Sequence, residues 1–215
     1  MVNIVVLISG SGTNLQAILD SLPHHQSSTP LPLKSSEKLP ESVNVKAVIS
    51  SKSNVYGLER AKGCTPAIPT QVLALKTYMN RNPGSTRQDW EVELSRIVNS
   101  YEPDLIVLAG FMMILSPTFL NAIHGKPIIN LHPALPGAFD GAHAIERAYD
   151  AYKKGEIKNT GCMVHYVIPE VDRGEPIVIA EVPIKDDDSL DSMENRIHET
   201  EWKIIVQGVK KVLNV

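Results

Sequence analysis

Three short runs of nearly continuous apolar residues, VNIVVLI (2–8), VNVKAVI (43–49) and DLIVLAG (104–110), constrain this chain most. They are rich in β-branched side chains and lack the strict polar–apolar alternation of a strand with one wet face. Such strands belong inside a sheet covered on both faces. Helical patterns lie between them, at 13–21, 54–63 and TRQDWEVELSRIVNSYE (86–102). In the last, Trp90, Leu94, Ile97 and Val98 recur near helical spacing, and Pro103 closes the segment. Strand, helix and strand in succession predict right-handed βαβ units and a parallel, Rossmann-like α/β sheet.

The end of the chain is built differently. TGCMVHYVI (160–168) and PIVIAEVPI (176–184) are separated only by PEVDRGE, too short for a crossover helix, so they predict an antiparallel pair. A helix from about Leu190 to Leu213 finishes the fold, with Ile197, Ile204, Ile205, Val209 and Val212 near one face. LPHHQSSTPLPLKSSEKLPES (22–42) is rich in Pro, Ser and charge, and reads as an exposed insertion within a single domain covering 1–215.

Composition narrows the class further. With 43% hydrophobic and 21% charged residues, the chain is an ordinary soluble globular protein. A net charge of −3 gives no basic excess to favour nucleic acid or an anionic membrane. The start, MVNIVVLISGSGTN, lacks the basic region and cleavage site of a signal peptide, and no window approaches the roughly 18 apolar residues of a membrane span. Cys64 and Cys162 lie far apart and form no CxxC, so neither a disulfide framework nor a zinc site is indicated. A cytoplasmic location follows.

Two groups of residues carry chemistry. The first is Ser9-Gly10-Ser11-Gly12-Thr13-Asn14, between the first strand and the first helix. Glycines let the backbone turn there, and N–H groups at a helix start point toward an anion; Thr13 or Asn14 can cap the helix. Leu15 stands where a dinucleotide loop would continue toward a third glycine, and no Gly-Lys-Ser/Thr follows, so a single phosphate monoester suits the loop best. A plain strand-to-helix turn would also use these residues.

The second group is Asn130 and His132, in KPIINLHPALPGAFDG. Residues two apart on a strand share a face, so both project near a strand's C-terminal end, where open α/β sheets bind ligands. An amide donor beside an imidazole can stabilise an oxyanion and move a proton. No G-x-S-x-G elbow is present and neither cysteine has a catalytic context, so the attacking group should belong to a substrate. Asp172, in EVDRGE, sits in the tight hairpin connection; a carboxylate beside His132 would raise its pKa and orient it. Capping and turn formation would account for Asn130 and His132 as well. His165 reads either as a hydrogen-bonded core histidine or as part of the site, and His143 as a helix cap or a supporting residue. The Asp186-Asp187-Asp188 run reads as a solvated helix start and makes a poor metal site.

Taken together, SGSGTNLQAI, VLAGFMMILSP, INLHPALPGAFDGAHAIERAY and GCMVHYVIPEVDRGEPIV resemble the folate-dependent phosphoribosylglycinamide formyltransferase (GAR transformylase) family, in order over nearly the whole chain. The form closest in character is the monofunctional fungal one. The resemblance implies a one-carbon transferase of purine biosynthesis that moves the formyl group of 10-formyltetrahydrofolate to the amine of glycinamide ribonucleotide (GAR), with no covalent intermediate and no metal. It implies that Asn130, His132 and Asp172 are catalytic. It assigns Gly12, Thr13, Asn14, Pro133 and Glu201 to GAR, and Met112, Ile114, Leu115, Val171, Asn130 and Asp172 to the folate. The N-terminal half would then hold the phosphate and the C-terminal half the folate, in a monomer or weak homodimer whose partners are small molecules. The chain departs from the family in carrying Met113 where bacterial members have Arg, and Trp202-Lys203-Ile204-Ile205-Val206 after Glu201.

Three rival readings share parts of this equipment. A 10-formyltetrahydrofolate hydrolase would use the same trio with water as acceptor, but usually carries an added N-terminal domain. Methionyl-tRNA formyltransferase would add a basic C-terminal barrel. A non-catalytic phosphate-ligand sensor would need only the glycine loop, and leaves Asn130, His132 and Asp172 without purpose.

Overall fold

A computed structural model describes residues 1–31 and 38–215. In chain order the elements are β1 (Val2–Ile8), α1 (Thr13–Ser21), β2 (Gln26–Ser27), β3 (Val43–Ser50), α2 (Tyr56–Lys62), β4 (Cys64–Thr65), β5 (Thr70–Val72), α3 (Leu75–Arg81), α4 (Arg87–Asn99), β6 (Leu105–Leu108), α5 (Pro117–Ala122), β7 (Ile128–His132), α6 (Ala144–Lys153), β8 (Asn159–Tyr166), β9 (Pro176–Pro183) and α7 (Leu190–Leu213). The main sheet has the order β5-β3-β1-β6-β7-β8-β9. Its first five strands pair in parallel, and β8 and β9 run antiparallel. The α/β class, the C-terminal hairpin and the long last helix agree with the sequence reading.

The lack of polar alternation in β1 has a direct cause. Ile4, Val6 and Ile8 pack on one side with residues of α1 and α7, whereas Val5 and Leu7 pack on the other with Trp90, Leu94 and Phe119. Burying one such side chain contributes roughly 1.5–3 kcal/mol, so both faces of the strand select for apolar residues. On the second side, α4 begins at a capping box in which Thr86 and Asp89 satisfy each other's backbone N–H groups. On the first, α7 crosses β8 closely at Gly208, where a Cβ would lie 2.6 Å from Val164 Cγ1.

The 22–42 segment is only partly the exposed insertion expected. Leu22 and Leu39 are buried in the core, and Gln26–Ser27 pairs with Cys64–Thr65 in a second small sheet. The reading for 32–37 lies outside the described residues. The Asp186–Asp188 reading needs correction at its last residue. Asp188 is buried, meets the Arg196 guanidinium at 2.6 and 2.7 Å, and accepts from Lys185 N at 2.8 Å. The Arg196 contact holds its carboxyl far below the usual range. This network fixes the start of α7, which Ser189 caps by accepting from Ser192 N. Among the described residues no helix is long and apolar enough to cross a membrane.

Strand order reverses between β1 and β6: from β1 the chain winds outward through β3 to β5, then returns to the other side through β6 and β7. The loops leaving β1 and β6 therefore diverge, and a cleft opens at the C-terminal edge of the sheet.

Candidate active site

The cleft has a volume of about 720 Å³. Its walls are residues 10–14 after β1, 108–115 after β6, 130–133 at the end of β7, 141–146 before α6, and His165 with 167–172 of the hairpin connection. Glu194, His198 and Glu201 of α7 close one end.

Asn130, His132 and Asp172 meet at its centre. The first two lie two residues apart on β7, and the antiparallel register sets His165 of β8 directly opposite Asn130. Asp172 arrives from the hairpin connection in left-handed backbone, φ 55°. The connection can approach this closely because residue 174 is glycine: a Cβ there would sit 1.7 Å from the Tyr166 carbonyl oxygen. Asp172 Oδ2 accepts from Gly141 N at 2.8 Å and faces His132 Nδ1 at 3.4 Å. Its Oδ1 accepts from Asn130 Nδ2 at 3.3 Å and lies 3.5 Å from His165 Nε2. Asn130 Nδ2 is also 3.2 Å from His165 Nε2. His165 is thus both a buried, hydrogen-bonded histidine and a member of the site.

The electrostatics correct one expectation. Burial pushes the His132 imidazole below its ordinary pKa; the Asp172 charge pulls the other way and does not prevail, and His165 adds to the fall. At neutral pH His132 is neutral, and with Nδ1 facing a carboxylate the proton belongs on Nδ1. Its Nε2 is buried with no hydrogen-bond partner of normal length, and the Ala138 carbonyl and the Asp140 charge, like Asp172, favour the protonated ring without outweighing burial. For Asp172, burial alone would raise the carboxyl, but the contacts with His165 and Gly141 N–H and the nearby imidazoles hold it below the usual range.

At the loop end, the helix cap differs from the expectation. Gly12 itself is the N-cap of α1, at φ 75°, and neither Thr13 nor Asn14 caps by its side chain. A Cβ on Gly12 would lie 2.6 Å from Gly57 Cα, so the glycine is needed for contact with α2. Asn14 Nδ2 instead donates to Glu201 Oε2 at 3.2 Å. Glu201 is buried, and burial raises its pKa, against the pull of His198 and the Asn14 contact.

The opposite end is apolar. Met112 and Ile114 are 72% and 61% exposed, and Val171 and Ile168 add further apolar surface, while Leu115 is buried beneath them. Unpartnered side chains of this size in one concave wall suit a flat apolar ligand. Ser9 ties the two ends together: its N–H donates to Gly110 O at 3.0 Å, and its Oγ accepts from Met112 N at 2.8 Å.

A parallel sheet with this cleft at its switch point is shared by many enzymes, but the sequence match is specific. The sequence model of the formyl transferase family matches residues 2–209. The chain belongs to the formyl transferase family. It is 47% identical to a phosphoribosylglycinamide formyltransferase of Dictyostelium discoideum, over 97% of this chain and 96% of that one. Against the enzyme of the same name from Saccharomyces cerevisiae the identity is 41%, over 99% and 98%. The fold is similar to the crystal structure of phosphoribosylglycinamide formyltransferase from Streptococcus pneumoniae, with a TM-score of 0.79, 32% identity and 99% of each chain covered.

Within this formyl transferase His143 is placed otherwise than read, and Met113 can now be located. His143 occupies the N-cap position of α6 at φ 58° but makes no capping hydrogen bond; its exposed ring meets Glu146 Oε1 at 3.1 Å, at the rim of the cleft. Met113 is half-buried and packs against the core, its neighbours Met112 and Ile114 being the exposed ones. Sequence reasoning missed the Gly141 N–H, His198 and Glu194. The Asp140-Gly141 turn signalled a tight backbone bend, but nothing local signalled that its N–H would meet Asp172. For Glu201 a signal existed: a carboxylate in register with Met193 and Ile197, on the apolar face of α7.

Proposed function

We propose that this chain transfers the formyl group of 10-formyltetrahydrofolate to the amino group of GAR, giving N-formyl-GAR and tetrahydrofolate in de novo purine biosynthesis. The observation that carries the reading is the convergence of Asn130, His132 and Asp172 in one cleft with the glycine loop and an exposed apolar wall. Both cysteines are buried, and burial, ahead of the charge of Glu201, pushes the Cys162 thiol up to about 12. No hydroxyl bonds His132 Nε2. A substrate must therefore supply the nucleophile, as an amine does. The family match and the names of the relatives support the same reaction.

In this reading GAR lies with its phosphate at Gly12, Thr13 and Asn14 and its ribose near Glu201, with Pro133 beside the glycyl arm. The folate lies along Met112, Ile114, Leu115 and Val171. The glycyl amine attacks the formyl carbon, and His132 Nε2 takes the amine proton. Asp172 stabilises the imidazolium so formed, and its new Nε2–H faces the developing oxyanion. Collapse breaks the bond from carbon to N10, and the same proton passes to N10, directly or through water. A carbon–nitrogen bond forms, another breaks and one proton is relayed, so no metal is required. The proposal keeps residues 1–215 as one formyltransferase domain, cytoplasmic and a monomer or weak homodimer.

The test is an absorbance assay for the deformylated folate, with and without GAR. GAR-dependent turnover is expected. Equal turnover without GAR would select the hydrolase, and GAR binding without any turnover the sensor.

A further inference from the structure

The loop after β1 is backed by α2, and its successive peptides are each held by the carbonyl oxygen. Gly57 N donates to Gly10 O at 3.2 Å, Arg60 Nε to Ser11 O at 2.9 Å, and Gln16 N to Gly12 O at 2.8 Å. In a trans peptide the C=O and the N–H of the next residue point in opposite directions. The N–H groups of Ser11 and Gly12 are therefore turned away from α2, and that of Thr13 away from the body of α1. Residues 10–14 line the cleft and no residue of α2 does, so the side turned away from α2 is the cleft side. Among the described residues no acceptor takes the N–H of Ser11, Gly12 or Thr13. Arg60 is the side chain in this set, and it is itself oriented. Its Nη1 donates to Gln16 Oε1 at 3.0 Å, and its guanidinium carbon lies 4.8 Å from the centroid of the Tyr56 ring. Gln16 is fully buried; its Nε2 donates to Asp20 Oδ1 and to Ser27 Oγ, each at 2.7 Å, and Thr29 Oγ1 donates to its Oε1 at 3.4 Å. A carboxylate that only accepts and a guanidinium that only donates thus fix which way the Gln16 amide faces.

We propose that Arg60 is a positioning residue for the phosphate monoester: from behind the loop, it holds the Ser11–Gly12 peptide with its N–H toward the cleft. Glycine tolerates either sign of φ, so a peptide flanked by Gly10 and Gly12 can turn over at little steric cost. The turned peptide would aim a carbonyl oxygen at the anion and repel it. Arg60 can only donate, so it bonds the loop only when the carbonyl faces α2 and the N–H faces the ligand. Its charge stands behind the loop, and its work is done by a neutral backbone group. Gly57 serves the neighbouring peptide in the same way. A Cβ there would lie 2.6 Å from Ile8 Cδ1 and 3.1 Å from Gly10 O, so only glycine lets α2 come close enough to bond that carbonyl. Gly57 and Arg60 are three residues apart, on one face of α2, which explains why both peptides are turned the same way. A lysine could not replace Arg60, because one ammonium nitrogen does not reproduce the rigid fork that meets Ser11 O and Gln16 Oε1 together.

The proposal rests on the phosphate site of the proposed function, and it is tested first without the reaction. In proton–nitrogen NMR of the full chain, inorganic phosphate should shift the amide signals of Ser11, Gly12 and Thr13. Arg60→Met, which keeps the apolar stem and removes the fork, should weaken that binding at least about tenfold, the effect of losing a hydrogen bond to a charged group. Arg60→Lys keeps the charge, so it separates the two ways an arginine can act: binding should stay nearer to that of Arg60→Met than to wild type. Full recovery in Arg60→Lys would overturn the proposal, because charge alone would then suffice; this comparison stands even if Arg60→Met does not fold. In steady-state assays either variant should raise the KM for GAR by a similar factor and leave kcat and the folate KM within about twofold, as for lost ground-state binding. A rise shared equally by both substrates would reduce Arg60 to packing. Loop amides that ignore phosphate in the wild type would also overturn the proposal. Phosphate shifts in a wild-type protein without GAR-dependent turnover would sink the formyl-transfer reading and leave the role of Arg60 standing.

Discussion

Replacing Asp172 by Asn removes one charge and almost no volume, which makes it the sharpest test of the relay. The carboxylate lies 3.4 Å from His132 Nδ1, with the two side chains 10% and 4% exposed. At an effective dielectric of about 20, unit charges at this distance attract by roughly 5 kcal/mol. That stabilisation is absent while His132 is neutral and grows as it takes the amine proton, so it belongs to the transition state and not to the ground state. If half to most of the proton has moved at the barrier, the loss is about 3–4 kcal/mol, or roughly 100- to 1000-fold in kcat. The amide also meets donors on both sides, Gly141 N–H at 2.8 Å and Asn130 Nδ2 at 3.3 Å, so one of these contacts must break. Steady-state turnover of Asp172→Asn, with thermal unfolding to show that it folds, reads the effect. A kcat within tenfold of wild type would refute the assignment of His132 as a base supported by Asp172.

The pH profile gives a second check. Burial holds the His132 pKa below its ordinary value, so the acidic limb of kcat/KM should fall below about pH 6.5 and move lower still in Asp172→Asn. A limb above pH 7 in the wild type would contradict the neutral resting imidazole. Stability should follow the same residues. The folded carboxyl of Asp172 lies below its unfolded value, so its contribution is present above about pH 4 and is lost as pH falls through the folded pKa. Neutral His132 adds to acid lability, because the unfolded chain takes up that proton first, from about pH 6.5 downward. Glu201 has the opposite sign: burial raises its pKa, so the carboxylate weakens the fold as pH rises through the ordinary carboxylate range. Glu201→Gln should therefore melt no lower than wild type at pH 8, with its relative gain vanishing in acid, while the KM for GAR rises about tenfold, the effect of losing a charge-assisted hydrogen bond. Gly174→Ala must displace the 167–175 connection, since its Cβ would meet the Tyr166 carbonyl at 1.7 Å; turnover should fall about 100-fold, the scale for a 1 Å misplacement of a catalytic group. Activity close to wild type would mean that Asp172 does not need this approach.

The main sheet strands were legible because each face selects for the same residues. The continuous apolar run of β1 reflects burial between α1 and α7 on one side and α4 and α5 on the other. The hairpin was legible from the shortness of its connection. By contrast β5 is three residues long and half exposed, and α3 buries no side chain, so neither imposes a pattern on its sequence. In the site, Asn130 and His132 were legible because strand periodicity alone puts them on one face. Their partners were not, because Asp172, Gly141 and His165 join them only through tertiary register. The lowered His132 pKa was hidden for the same reason: a pairing partner can be guessed from sequence, but the depth of burial that outweighs it depends on every element around the cleft.

Ser9 has a consequence for how ligands meet this protein. Its backbone and hydroxyl join the loop after β1 to the segment after β6, and the hydroxyl makes a further 2.6 Å contact with Ser51. The distance from the glycine loop to the apolar wall is thereby set when the chain folds, by the pairing of β1 with β6. In the proposed function, ligands at the two ends inherit that spacing as a fixed ruler. The entropy of bringing the two subsites into register is lost at folding and not at binding, so affinity at each end depends on how well a ligand matches a span it cannot stretch.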